Sequence, residues 1–198
     1  MNVLLYLIRH GKTPGNEEKR YVGRTDEPLS ETGRAELTKK QYPEVDLLFA
    51  SPMKRCVESA EVLYPGMEPV LIEGFREIDF GAFEGKNYQE LSGNPDYQAW
   101  IDSGGTLAFP QGESRTDFVR RSVAAFENMM QKAGEHAKGG GEEPLRIAVV
   151  SHGGTIMSVL SSLYAGDYFD YQIPNGEAYL VTMTLAEEGW KILSAERF

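Results

Sequence analysis

Short unbroken apolar runs alternate along the chain with longer stretches in which apolar residues recur every three or four positions. The runs are Leu4-Leu5-Tyr6-Leu7-Ile8, Leu47-Leu48-Phe49-Ala50, Val70-Leu71-Ile72 and Leu145-Arg146-Ile147-Ala148-Val149-Val150. A strand apolar at successive positions is covered on both faces, as in a parallel sheet between helices, whereas a half-solvated strand alternates. The periodic stretches fit helices. One runs from a capping Ser30 to about Gln41, with Leu37 inward and Lys39-Lys40 outward; a second runs from Met53 to about Leu63, with Ser51 as cap and Pro52 at its first position. A third starts at Ser114 and places Phe118, Val119, Val123, Phe126, Met129, Met130 and Ala133 on a core face, and a fourth covers Ile156 to Tyr164. Two alternating segments, Ala178 to Leu185 and Trp190 to Ala195, flank Glu188-Gly189 and read as a hairpin at a sheet edge. These elements predict a three-layer α/β/α fold with a mostly parallel central sheet.

The pattern breaks in four places. Thr13-Pro14-Gly15-Asn16 and Tyr21 to Pro28 read as loop, Lys138 to Pro144 as a linker, and residues 74–110 as Gly, Pro and aromatics with two short helices around Tyr88–Leu91 and Asp96–Ile101. We therefore expect one domain over residues 1–198, with an excursion at about 74–112 capping the strand carboxyl ends, where parallel sheets bind their ligands. Two of the runs end alike, on Arg9-His10-Gly11 and on Ser151-His152-Gly153-Gly154-Thr155. If those strands are neighbours, about 4.8 Å apart, both imidazoles reach the same ligand atom. The third histidine, His136, lies in a polar region and is expected to face solvent.

Composition narrows the chemistry. A net charge of -10 argues against nucleic-acid or anionic-membrane partners. It leaves room for a small anion, because charges farther apart than about 8 Å are largely screened and a local arginine cluster sets its own field. No apolar run approaches the roughly 18 to 20 residues of a membrane span, and the first residues lack the basic region and cleavage site of a signal peptide, so a cytoplasmic protein is expected. The single cysteine, Cys56, allows neither an internal disulfide nor a cysteine-based metal site. No set of side chains has metal-ligand spacing, and neither metal nor other cofactor is expected. The residues able to converge on the histidines are Arg9, Asn16, Arg55 and one carboxylate from the cap. Two guanidinium forks match phosphate oxygens and would neutralise charge that a metal handles elsewhere, and a neutral histidine beside them can attack phosphorus.

These residues together resemble the histidine phosphatase superfamily, in the branch that holds cofactor-dependent phosphoglycerate mutases, fructose-2,6-bisphosphatases and α-ribazole phosphatases. Arg9-His10-Gly11-Lys12-Thr13 is similar to the family's Arg-His-Gly-Glu-Thr motif, with Asn16 at its phosphate-binding asparagine. Gly23 to Gly33 matches the following loop, Ser51-Pro52-Met53-Lys54-Arg55 the segment of the second phosphate arginine, and Ser151-His152-Gly153-Gly154 that of the second histidine. The resemblance implies a phosphoglycerate mutase-like fold and a phospho-acceptor at His10. It implies a pocket of Arg9, Arg55, Asn16 and His152, contacts from Gly23 and Gly153, and a proton donor at Glu77 in Phe75-Arg76-Glu77-Ile78-Asp79-Phe80-Gly81. Glu73, Asp79 and Glu84 are rival carboxylates. Lys12 stands where the family has glutamate, and is either a solvated loop lysine or one that faces the substrate. Glu113-Ser114 resembles a recurrent family segment whose simplest role is to cap the long helix.

A phosphomonoesterase acting on a small phosphate ester is therefore expected. The stretch Arg76 to Gly85 is most similar to α-ribazole phosphatases of cobalamin assembly, though broad-specificity relatives share it. The alternatives are a phosphoglycerate mutase, against which the cap from Lys86 to Gly112 offers no arginine for a substrate carboxylate, and a non-catalytic phospho-ligand binder. The cap aromatics Phe80, Phe83, Tyr88, Tyr97 and Trp100 either line an apolar pocket or pack the cap, and Tyr21, Val22, Gly23 and Arg24 are candidate substrate contacts. Oligomeric state is not written in the sequence.

Overall fold

A computed structural model describes residues 1–136, 143–187 and 189–198. The apolar runs become strands β1 (Asn2–Arg9), β2 (Leu47–Ala50), β3 (Val70–Leu71) and β4 (Leu145–Ser151), and the alternating segments become β5 (Ala178–Ala186) and β6 (Gly189–Arg197). They form one sheet in the order β3-β2-β4-β1-β5-β6. β4 inserts between β2 and β1, parallel to both, with Arg9 opposite Ser151. β5 lies antiparallel to β1, and β6 pairs antiparallel with β5 at the sheet edge. The two His-Gly strand ends are thus neighbours, as the sequence predicts.

Helices α1 (Pro14–Glu17), α2 (Glu31–Leu37), α3 (Lys54–Leu63), α4 (Pro95–Asp102), α5 (Arg115–His136) and α6 (Gly153–Leu163) complete the layers. Because the sheet is buried on both sides, the middle stretches of β1, β2 and β4 are apolar at successive positions. Leu5, Leu7, Phe49 and Val149 face α5 and α6 through Phe126, Met129, Met130 and Val159. The alternate residues, Tyr6, Ile8, Ala148 and Val150, face Cys56, Ala60 and Tyr64 of α3. A third cluster, Ile78, Phe83, Leu91, Phe109 and Phe118, ties the 74–112 excursion to α5. On α5, Val119 and Val123 are only partly buried, unlike the rest of the expected core face.

Several element boundaries differ from expectation, each for a local reason. Thr13 to Asn16 is not loop. Thr13 caps α1 through a reciprocal pair in which its hydroxyl accepts from Asn16 N at 3.2 Å and Asn16 Oδ1 accepts from Thr13 N at 3.3 Å. Helix α2, capped by Ser30 as expected, stops at Leu37 rather than Gln41, because Lys39 N and Lys40 N turn back to the carbonyls of Glu36 and Leu37 three residues earlier. Helix α3 begins at Lys54, and Ser51 is not its cap; Asp26 Oδ1 caps it from the long loop, accepting from Lys54 N at 2.7 Å. Tyr88 to Leu91 closes only a single turn, with Leu91 N on Asn87 O at 3.1 Å, before Gly93 turns the chain at positive φ. The side chain of His136 and most of the expected linker, residues 138–142, lie outside the described residues, as does Glu188.

Candidate active site

β1 ends by handing its backbone to two neighbours: His10 N donates to Ser151 O at 2.9 Å, and Gly176 N donates to the carbonyls of Arg9 and His10 at 3.0 and 3.1 Å. The His10 side chain, 4% exposed, puts Nδ1 2.7 Å from Gly11 O. A carbonyl only accepts, so Nδ1 carries the proton and Nε2 holds a free lone pair. Burial, then Arg55 and Arg9, hold the imidazole well below the usual histidine range, which keeps that lone pair unprotonated near neutrality.

The two arginines are fixed from opposite sides. Arg9 Nη1 donates to Ile173 O at 2.7 Å. Arg55, fully buried in the first turn of α3, donates to Thr25 O at 2.8 Å, Gly23 O at 2.9 Å and Val22 O at 3.4 Å, so the Val22 to Thr25 loop wraps its guanidinium. In both, Nε is buried and finds no protein acceptor among the described residues. Buried guanidinium N–H groups without a protein acceptor are donors suited to an oxyanion.

His152, the residue before α6, lies with its ring centroid 5.2 Å from that of His10 at an interplanar angle of 67°. Its Nε2 lies 2.8 Å from Ser51 Oγ, which also accepts from Met53 N at 3.5 Å. Cys56 Sγ packs under the same ring at 3.6 Å from Nε2. Burial pushes that thiol up to about 12, so it stays a neutral thiol. His152 is also held well below the histidine range, by burial, Arg55, His10, Arg9 and Arg121 in that order.

Of the four carboxylates that compete for the donor role, only Glu77 stands in the wall of the cavity with Arg9. Glu73 pairs with Arg76 at 2.8 Å, and Asp79 accepts from Gly81 N at 3.0 Å and faces Arg24 at 3.1 Å. Glu84 Oε1 holds the arginine-wrapping loop, accepting from Gly23 N at 2.8 Å and Thr25 N at 2.9 Å. Glu77 Oε1 accepts from Ile78 N at 2.9 Å, and its carboxyl group lies at the start of α6, where a Cβ on Gly154 would collide with it. Burial raises Glu77 above the usual carboxylate value, against the opposing pull of the Ile78 N–H, Arg55, Arg9 and the Gly154 N–H. The residues around Glu77 are bracketed by Arg121 of α5, which donates to the carbonyls of Gly74 (3.0 Å), Arg76 (2.7 Å) and Glu77 (3.2 Å) while Glu113 grips it through both oxygens. Ser114 caps α5 as expected, accepting from Asp117 N at 3.0 Å; Glu113 does this further work.

Asn16 Oδ1 is taken by Thr13 N and by Asn175 Nδ2 at 3.2 Å, which leaves Asn16 Nδ2 as the side chain's donor; Asn175 also donates to His10 O at 3.1 Å. Gly23 stands behind the site rather than in its cavity wall. Its N–H belongs to Glu84, its carbonyl to Arg55, and a Cβ there would strike Ile78 O, so only glycine lets loop and cap close on each other. Gly153 does line the cavity, against the Arg9 guanidinium. Lys12 Nζ pairs with Glu36 at 2.8 Å, with both side chains partly in solvent. Of the loop candidates Tyr21 lines the cavity, whereas Arg24 is 74% exposed on its side chain.

The cavity has a volume of about 800 Å³. Phe80, Trp100 and Phe109 form one side, whereas Phe83 is fully buried and Tyr88 is exposed. Asn175, Arg121, Arg115, Tyr168 and Arg197 escaped the sequence reading because nothing short-range links them to the His-Gly ends; Asn-Gly at 175–176 was the one local signal, a tight turn. Among the described residues no group of three or more His, Cys, Asp or Glu side chains is arranged to hold a metal ion, and no helix is long and apolar enough to cross a membrane.

Two histidines thus follow adjoining strands, with the half-buried Arg9 at the end of β1 and the buried Arg55 in the first turn of α3. The chain belongs to the histidine phosphatase superfamily (branch 1), whose sequence profile matches residues 5–196. Its members are phosphatases and mutases. The chain is 26% identical over 192 residues to an uncharacterized phosphatase of Bacillus subtilis, covering 94% of this chain and 90% of that one. Among solved structures, a phosphoglycerate mutase from Thermus thermophilus is 28% identical with a TM-score of 0.68, covering 100% of this chain and 99% of that one. The α-ribazole phosphatase from Shigella flexneri has a TM-score of 0.75 over 99% and 96% of the two chains, but at 21% identity it speaks to the fold alone.

Proposed function

We propose that the protein is a phosphomonoesterase that works through a phosphohistidine on Nε2 of His10. The observation that carries this reading is the 2.7 Å contact of His10 Nδ1 with the Gly11 carbonyl, which leaves Nε2 as a neutral, unprotonated nucleophile between Arg9 and Arg55. In the first step Nε2 attacks phosphorus, the P–N bond forms as the ester P–O bond breaks, and Glu77 gives its proton to the departing oxygen. Arg9, Arg55, Asn16 Nδ2 and His152 hold the phosphoryl oxygens as their charge spreads in the transition state. In the second step Glu77, now ionised, takes a proton from water as the water oxygen attacks phosphorus. The P–N bond breaks, its electrons return to Nε2, and inorganic phosphate leaves with Glu77 reprotonated.

Arginines supply the positive charge in this scheme, and hydrolysis is proposed to need no metal. The phosphoglycerate mutase reading gains one observation, since Arg115 and Arg197 bring to the cavity the arginines that the 86–112 segment lacks. The α-ribazole ester remains one candidate substrate among several, on the likeness of residues 76–85. A panel of phenyl phosphate, a sugar phosphate, α-ribazole 5'-phosphate and 3-phosphoglycerate, run with and without EDTA, separates the readings. The proposal expects inorganic phosphate release that EDTA leaves intact. Interconversion of phosphoglycerates without phosphate release, or EDTA-sensitive activity restored by Mg²⁺, would overturn it.

A further inference from the structure

The 800 Å³ cavity meets the phosphate site at Arg9, Glu77 and Gly153 and is not lined by His10, Asn16, Arg55 or His152, so a phosphoryl group on His10 leaves most of its space to the alcohol half of the ester. Two features of that space have no part in the chemistry above. The first is a pair of cations: Arg115, at the start of α5, and Arg197, at the end of β6, both line the cavity, and neither makes an ion pair among the described residues. Arg115 has only a 3.4 Å bond to Gly104 O and lies over the rings of Tyr168 and Phe169, at 5.4 and 5.6 Å from their centroids, which hold it in place without neutralising it. Arg197 donates to Gln172 O at 2.7 Å. With Arg9 they make three arginines against the single carboxylate of Glu77 in the wall, in a chain whose net charge is -10.

The second feature is the aromatic side. Trp100 stacks on Tyr97 with their planes 15° apart and packs against Phe109 at 5.0 Å, and its buried indole Nε1 has no acceptor among the described residues. A buried indole N–H normally finds a partner. A flat ligand bearing an acceptor would give it one and would cover the apolar faces around it.

We propose, on the reading that the site hydrolyses phosphate esters, that its substrates carry a flat apolar ring in the alcohol half and a second anionic group beyond it, with Arg115 and Arg197 reading that group. The phosphate end is common to every ester, so discrimination lies in this second anion. Guanidinium-to-carboxylate contacts are charge-assisted hydrogen bonds, and losing one of two is expected to cost about tenfold in affinity.

The test compares 4-carboxyphenyl phosphate with phenyl phosphate in the wild type, Arg115→Met and Arg197→Met. The ratio of their kcat/KM values removes any general effect of a substitution on the catalyst. We expect each variant to lower the ratio about tenfold through KM, with Arg115→Lys and Arg197→Lys keeping part of it and added salt eroding it in the wild type. A ratio that stays within about twofold of wild type in both Met variants overturns the proposal, as does 3-phosphoglycerate, which has the anion without the ring, being taken as well as the aryl acid. Calorimetric binding of 4-carboxybenzylphosphonate against benzylphosphonate, which need no turnover, separates this failure from failure of the hydrolase reading. If no ester is hydrolysed, the catalytic proposal falls while the phosphonate pair still decides whether the arginines read the second anion.

Discussion

Around His10 the polar atoms are set by backbone: the imidazole by the Gly11 carbonyl, Arg55 by three loop carbonyls and Arg9 by Ile173 O. Across the cavity the order comes from side chains resting on one another, with Phe80, Trp100 and Phe109 in edge-to-face and tilted contact at about 5.0 Å. The two regions answer different demands. Under the proposed function, phosphoryl transfer tolerates little displacement, and these carbonyls hold the imidazole and both guanidinium groups in place. Recognition of an alcohol half needs shape, which packed rings supply and which single substitutions can change. Glu77 stands between them, chemically part of the phosphate site but carried on the segment that leads into the cap.

Replacing Glu77 is the largest expected break in that comparison. Glu77→Gln should slow hydrolysis of an alkyl phosphate by about 10² to 10⁴, the usual worth of general acid help. Phosphorylation by an activated aryl ester should suffer far less, so release of the phenol should show a burst before slow dephosphorylation. The acid form of Glu77 persists above the usual carboxylate range, so activity should fall as pH rises through its raised pKa, and the Gln variant should lose that limb. Equal slowing of both ester types in the first half-reaction would move the donor role to another group.

How much of this was legible in the chain differs between the same two regions. Leu4 to His10 and Leu145 to His152 announce themselves because an apolar run that stops on a polar cluster has one physical reading in a covered sheet. Their pairing is a condition in the sequence reading, and the sheet order supplies it. Arg121 is the opposite case: it sits among Val119, Val123 and Phe126 as one polar residue of a periodic helix, and only the folded chain brings three carbonyls of residues 74–77 to it. Arg115 and Arg197 reach the cavity from outside the segment Lys86 to Gly112, so looking for arginines within that segment missed them. Ser51 was misread because a serine before a proline is a sound capping signal, and here a buried histidine competes for the same hydroxyl.

Arg121→Met sharpens the division, since it leaves every His10 contact intact and removes the bracket under Glu77. About a tenfold loss in kcat on alkyl phosphates is expected, with a smaller change for activated aryl esters, and the conservative Arg121→Lys should restore part of it. If both ester classes fall together, Arg121 supports the whole site and not the donor in particular.

A smaller effect concerns stability. The unfolded chain protonates His10 and His152 near pH 6.5, whereas the folded chain resists because burial and Arg55 hold both well below that value. Stability is therefore complete above about pH 6.5 and lost as pH falls below it, by up to about 1.4 kcal/mol per pH unit for each histidine. Glu77 opposes this at lower pH, since its raised value lets the folded chain hold that proton longer than the unfolded one. Urea midpoints should drop between pH 7.5 and 5.5, and His152→Asn should reduce the slope; a flat profile in the wild type would show that the imidazoles are not held neutral.

The claim on which the rest depends is that the phosphoryl group passes to Nε2 of His10. It can be read directly by trapping the enzyme with an aryl phosphate, using Glu77→Gln to slow the water step, and recording ³¹P–¹⁵N correlations on protein labelled at histidine nitrogen. The account predicts a single acid-labile phosphohistidine at Nε2, absent from His10→Ala. Phosphate on Nδ1, on His152 or on Cys56, or a label that survives His10→Ala, would contradict it.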